Sequence, residues 1–241
     1  MARLRGGAVA AVAVLVAVAG CKSGQNKGTP GAGGGGGGGG NGAVLAAVDA
    51  LTVKGRAPKT GYSRTRFGTA WADTDANSCD TRDDILKRDL KDVKFTGGTC
   101  KVSYGLLEPD PYSGKDITYR RGRSQVDIDH VVPLSDAWQK GAKYWDASKR
   151  IALANDPLNL IAVDASTNRG KGDGDAATWL PPNGRYRCTY VAAQVAVKKK
   201  YGLWVTAAEK AAMKKVLGGC PAQKLPTGGN PTKAPERFRA R

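Results

Sequence analysis

The chain has 241 residues, with 38 Lys and Arg against 21 Asp and Glu, a formal net charge of +17. A balance so basic suits a polyanionic partner: nucleic acid, a teichoic acid or an anionic membrane face. Charge alone does not choose among them. The single histidine, His130, excludes a His-rich zinc site, and no CxxC spacing offers another.

The ends read as targeting and tether. Arg3 and Arg5 precede an unbroken apolar run, Ala8 to Ala19, which fits a signal-peptide core and is too short to span a bilayer. Val18-Ala19-Gly20-Cys21 resembles a bacterial lipobox. The resemblance implies cleavage before Cys21, a lipid on that residue, and an exported protein anchored on the outer face of the cell membrane. Residues 21–43, with glycines from Gly33 to Gly40, cannot build a core and read as a flexible tether. At the far end, residues 221–241 carry four prolines and five Lys or Arg against one Glu, and read as a basic disordered tail. Between them, residues 44–220 are enough for one domain.

Along that domain, Ala43 to Val53 has helical spacing, and Trp71 to Asn77 is a polar loop. Asp80 is placed to cap a helix over Thr81 to Leu90, and Val93 to Tyr104 reads as a hairpin around Gly97-Gly98. Asp116 to Tyr119 and Val126 to Val132 are strands, the second ended by Pro133. Helices follow over Leu134 to Trp145 and Ser148 to Ala154, then an apolar strand, Leu158 to Val163. Asp164 to Gly174 reads as a polar loop. Tyr186 to Tyr201 is a helix ended by Gly202, and Thr206-Ala207-Ala208-Glu209 is a capping box opening the last one. The sum is α+β, a small antiparallel β element among helices. Four cysteines besides Cys21 suit an exporting compartment, and proximity favours Cys79–Cys100 and Cys188–Cys220.

Three polar positions carry the chemistry. Asp127 and Asp129 share a strand face and could approach one cation, while His130 joins them only if the strand bends. Asn159, in Leu158-Asn159-Leu160, needs backbone partners if buried, which suits a residue pinning the His130 loop. Asn168 could offer an amide oxygen to a hard cation, with Arg169 and Lys171 as phosphate donors. Arg82 could reach a phosphate or pair with Asp83 and Asp84. The five tryptophans could stack on bases but sit mostly among core neighbours.

Asp127-Ile128-Asp129-His130-Val131-Val132-Pro133, then Leu158-Asn159-Leu160, then Asn168-Arg169-Gly170-Lys171-Gly172-Asp173 resembles the HNH (ββα-metal) endonuclease motif. Residues from about Trp71 to Cys220 are similar to the family named after the C-terminal domain of GmrSD restriction endonucleases. The segments Cys79 to Leu90 and Trp179 to Pro182 add to the likeness. The resemblance implies a ββα-metal core with His130 as general base, Asn159 orienting its loop, and Asp129 and Asn168 as metal ligands helped by Asp127. The cofactor would be Mg²⁺, or Mn²⁺, since Asp and Asn oxygens favour a hard cation. The substrate would be nucleic acid, DNA first, with little sequence preference. The other reading is an inactive domain of the same shape that binds extracellular DNA or wall polyanions.

Overall fold

A computed structural model describes residues 41–123 and 125–240. The signal segment, Cys21 and the tether up to residue 40 lie outside the described residues. The described chain is α+β, with helices α1 Asn41–Asp49, α2 Thr81–Asp89, α3 Leu134–Gln139, α4 Ala147–Ala154, α5 Ala165–Lys171, α6 Arg187–Tyr201 and α7 Ala207–Gly218. Strands β1 Lys91–Phe95, β2 Val102–Leu107 and β3 Ile117–Arg120 form one antiparallel sheet in that order. Strands β4 Val126–His130 and β5 Leu160–Asp164 form a second, with Val126 opposite Asp164 and His130 opposite Leu160.

The helix starts follow their caps. The Asp80 carboxylate accepts from the Asp83 amide, and Thr206 Oγ1 accepts from the Glu209 amide at 3.1 Å. Gly202, at φ 69°, ends α6 in the left-handed conformation that a C-terminal glycine permits.

Three apolar clusters hold these elements, each fully buried Leu, Ile or Val contributing about 1.5–3 kcal/mol. In the first, Ile85 and Leu86 of α2 lie against Val102, Leu107 and Tyr119 of the larger sheet and against Ile128, Leu160 and Ala162 of the β4–β5 hairpin. Helix α2 therefore fixes the hairpin to the larger sheet. In the second, α6 meets Val44 and Val48 of α1 and Met213 and Leu217 of α7, with Val131 and Val163 beside them. The third joins α3 and α4 to Phe67 and Tyr201.

A buried ionic cluster joins the helices. Lys140 Nζ lies 2.7 Å from Asp136, 2.8 Å from Asp175 and 2.6 Å from Glu209. Lys198 Nζ is 3.0 Å from Glu209 and 3.2 Å from Asp136, and Arg56 reaches Asp136 and Asp175. Three cations thus balance three anions, as burial requires. Burial alone would raise the Asp136 carboxyl, but Lys198 and Lys140 hold it below its ordinary value. Through Asp136 the cluster grips α3, which begins four residues after His130.

Both disulfides form as proximity favoured, Cys79–Cys100 and Cys188–Cys220. Three expectations are corrected. Residues 165–171, read as loop, are helix α5, capped by Asp164, whose carboxylate accepts from the Thr167 amide. The strand expected from Leu158 starts at Leu160, because Asp156 caps a 3₁₀ turn over Pro157–Asn159. The helix expected to reach Trp145 stops at Gln139, before Gly141 at φ 135°. Residues 221–240, expected to be a basic disordered tail, form no helix or strand. Lys200 Nζ donates to the Asn230 carbonyl at 2.6 Å, Ala234 N donates to Ser148 at 3.2 Å, and Phe238 packs on the third cluster.

Candidate active site

The site is built on the β4–β5 hairpin and on α5, which follows β5 without a gap. On α5, Asn168 and Lys171 are three residues apart and share the face turned to β4. Asn168 Nδ2 donates to Asp127 Oδ2 at 3.2 Å. Lys171 is buried, and its ammonium reaches Asp129 Oδ1 at 3.0 Å, Asp129 Oδ2 at 2.9 Å and the His130 carbonyl at 2.9 Å. Lys171 is therefore not a phosphate donor, as the sequence suggested, but a counter-ion inside the site. Arg169, one residue round the helix from Asn168, is exposed and lies outside the cleft wall.

Asp129 has a second partner with no local signal in the sequence. The Tyr112 hydroxyl donates to Asp129 Oδ2 at 2.6 Å. The Tyr112 ring is fully buried, edge-on to Trp179 at 5.0 Å and to Tyr190 at 5.6 Å. Burial first, then the charge of Asp129, pushes its hydroxyl pKa well up, so it stays a donor. The Trp179 to Pro182 segment thus acts from behind, by wedging Tyr112.

His130 closes β4 and is held on both sides. Asn159 Oδ1 accepts from the Val132 amide at 2.8 Å, and its Nδ2 donates to the carbonyls of Val132 and Leu153, each at 3.3 Å. The Val131 amide donates to the Asn159 carbonyl at 2.8 Å, and Gln194 Nε2 donates to the Val131 carbonyl at 3.1 Å. Asn159 therefore pins the turn after His130 from the end of a 3₁₀ turn rather than from within a strand. His130 Nε2 lies 2.9 Å from the Ala154 carbonyl. A carbonyl only accepts, so Nε2 carries the hydrogen and Nδ1 holds the lone pair of a neutral ring. Burial outweighs the Ala154 carbonyl and Asp129 and lowers the His130 pKa to about 4, so the ring is neutral at pH 7.

Asp127, Asp129, His130 and Asn168 line one cleft of about 380 Å³, so the strand does bring His130 round to the carboxylates. Arg82, Arg64 and Tyr62 complete the wall. Arg82 makes no ion pair with Asp83 or Asp84. Its Nη1 donates to the Tyr119 hydroxyl at 3.2 Å, and its guanidinium sits 5.7 Å over that ring. Arg64 and Tyr62 were missed from sequence, where the basic turn Arg64-Thr65-Arg66 was the available signal. Of the five tryptophans, Trp71 lines this cleft, its ring nearly parallel to His130 at 6.3 Å between centroids.

The donor set fits a hard cation. Among the described residues no three His, Cys, Asp or Glu side chains gather at one point, and Asp127, Asp129 and the Asn168 amide are oxygen donors that line this one cleft. Among the described residues, no donor reaches Asn168 Oδ1 or Asp127 Oδ1, and Asp129 Oδ1 accepts only from Lys171. Each therefore keeps a lone pair for an oxygen-seeking ion.

The model of the family described as GmrSD restriction endonucleases, C-terminal domain, matches residues 80–216. A protein of Arthroderma benhamiae described as an uncharacterized secreted protein is 42% identical over 172 residues, which are 70% of this chain and 81% of that protein. No solved structure matches the chain. The family match runs from the cap of α2 through the hairpin, α5 and most of α7, which takes in the carboxylates, His130, Asn159 and Asn168, and the chain belongs to the family of the GmrSD restriction endonuclease C-terminal domain.

Proposed function

We propose that the domain is an HNH-type, metal-dependent endonuclease that hydrolyses phosphodiester bonds in nucleic acid, with DNA as the first substrate. The observation that carries this is the state of His130. Its Nε2 is committed to the Ala154 carbonyl, which leaves a neutral ring with Nδ1 as the base, in the same cleft as Asp127 and Asn168. The antiparallel β4–β5 pair running directly into α5 supports the ββα reading.

His130 Nδ1 takes a proton from water as the water oxygen bonds to phosphorus, and the P–O bond opposite breaks to release the 3′-oxygen, which takes a proton from solvent. Asn159 keeps the His130 loop in place, and Lys171 with Tyr112 holds the Asp129 carboxylate. Arg64 and Arg82 line the cleft as donors for the phosphate oxygens. A Mg²⁺ or Mn²⁺ ion would be held by Asp127, Asn168 and the remaining Asp129 Oδ1 lone pair, and would supply positive charge at the scissile phosphate. The signal segment and Cys21 support an exported, lipid-anchored enzyme, and the relative's description as secreted points the same way.

The test is nicking of supercoiled plasmid by the purified chain with Mg²⁺, Mn²⁺ or EDTA, for wild type and His130→Ala. Metal-dependent nicking lost in His130→Ala is the expected result. DNA retarded on a gel with no product in any metal would overturn the enzyme reading in favour of a binding protein.

A further inference from the structure

A second cavity, of about 310 Å³, is lined by His130 but not by the carboxylates. Its walls include Phe67, Gly68, Trp71, Leu134 and Asn155, and it shares Arg64, Trp71, His130 and Leu134 with the reaction cleft. The two spaces therefore meet at the imidazole. The volume lies at the small end of the range of ligand pockets, about 300–1,000 Å³, and suits one ring system rather than a stack of several.

Two features show that this cavity is built rather than left over. Gly68 takes φ 83°, and a Cβ there would stand 2.7 Å from Ile151 Cγ1, so the segment approaches α4 as closely as only glycine allows. Trp71 takes φ 61°, a costly conformation for a bulky residue, and its indole forms a wall of both spaces.

The cavity is lined mainly by apolar and aromatic side chains, Phe67, Ala70, Trp71 and Leu134, with Arg64 and Trp71 shared with the reaction cleft.

We infer that this cavity is a nucleobase subsite, taking one unstacked base beside the scissile phosphate and giving the enzyme a preference for single-stranded or unpaired nucleic acid. The occupant must be apolar on its faces, no larger than one ring system, and joined to a phosphodiester lying in the neighbouring cleft. A nucleobase meets all three conditions. A base inside a duplex has its faces covered, so a duplex must unstack before the cavity can be filled. The inference rests on the phosphodiester reading of the cleft, and its test separates the two.

The first measurement uses the full chain in EDTA, where no turnover occurs. The probe is a single-stranded DNA 12-mer with one 2-aminopurine, compared with the same probe in a duplex. Quenching by wild type, binding of the single strand about tenfold tighter than the duplex, and loss of that tenfold in Ala70→Trp, which fills the cavity, are expected. Thermal melting checks that Ala70→Trp folds. The second measurement scans one abasic nucleotide along the strand in Mg²⁺. Wild type should lose about tenfold in cleavage of the bond next to the abasic position, and Ala70→Trp should not discriminate. A plasmid that is nicked while the abasic scan is flat and 2-aminopurine is unchanged overturns the subsite alone. Quenching without cleavage in any metal supports the subsite and overturns the nuclease reading, and neither signal overturns both.

Discussion

Replacing Asn159 with Ala tests how the turn after His130 is held in place. The side chain makes three hydrogen bonds, to the Val132 amide at 2.8 Å and to the Val132 and Leu153 carbonyls at 3.3 Å, and the residue is fully buried. In Asn159→Ala the Val132 amide is left in the core without an acceptor, at a cost of about 1–3 kcal/mol. The two carbonyls lose weaker, longer contacts, and the vacated volume adds a cavity term. The sum is a loss of about 2–5 kcal/mol, measured as a shift in the urea midpoint with unchanged slope. Asn159→Asp should do no better. It restores the acceptor for Val132 but sets a second carboxylate oxygen against two carbonyls. Plasmid nicking should fall in both variants more than the folded fraction does, since the turn after His130 loosens. A loss of stability below about 0.5 kcal/mol, with full nicking, would refute the pinning role.

Three further outcomes follow from the buried charges and cross-links. Glu209→Gln removes one anion from the cluster that neutralises Lys140 and Lys198, and should lower the unfolding free energy by about 3–5 kcal/mol in urea titration. A change under about 1 kcal/mol would mean the cluster is hydrated. Cys188→Ser with Cys220→Ser opens a 32-residue separation and should cost about 3–4 kcal/mol by the loop-entropy argument, read by thermal melting without reductant. The third concerns the only histidine. Burial lowers its pKa from 6.5 to about 4, so between those values the unfolded chain binds a proton that the fold does not. The stabilisation is therefore complete above pH 6.5 and is lost as pH falls towards 4, by about 3 kcal/mol. In EDTA, His130→Gln should lack that slope, and parallel pH profiles of the two proteins would count against a neutral buried ring.

What the sequence made legible was local. Asp80 and Thr206 stand one turn before the amides they accept from, and Asp127 and Asp129 alternate onto one face, so short-range geometry sufficed. Helix α5 was not legible for a corresponding reason. Asn168-Arg169-Gly170-Lys171-Gly172 has weak helix propensity, and what stabilises the helix is distant in sequence: Asp129 and the His130 carbonyl receive Lys171 from about forty residues away. The same misreading moved Lys171 from the core to the surface, since a lysine among glycines looks solvated until the helix turns it onto β4. Lys198 followed the same pattern. Within Lys198-Lys199-Lys200 it looks like the charged end of a helix, yet it is fully buried because Asp136 and Glu209 meet it there. Tyr112 had no local signal at all, for its hydroxyl matters only once β4 lies beside it. Buried Lys171 and Tyr112 explain why the motif tolerates a carboxylate as deep as Asp129. One ammonium and one hydroxyl satisfy it, so the chain itself balances the Asp129 carboxylate. The domain should accordingly keep its melting temperature in EDTA, and a large fall on chelation would show that the cation, rather than Lys171, balances Asp129.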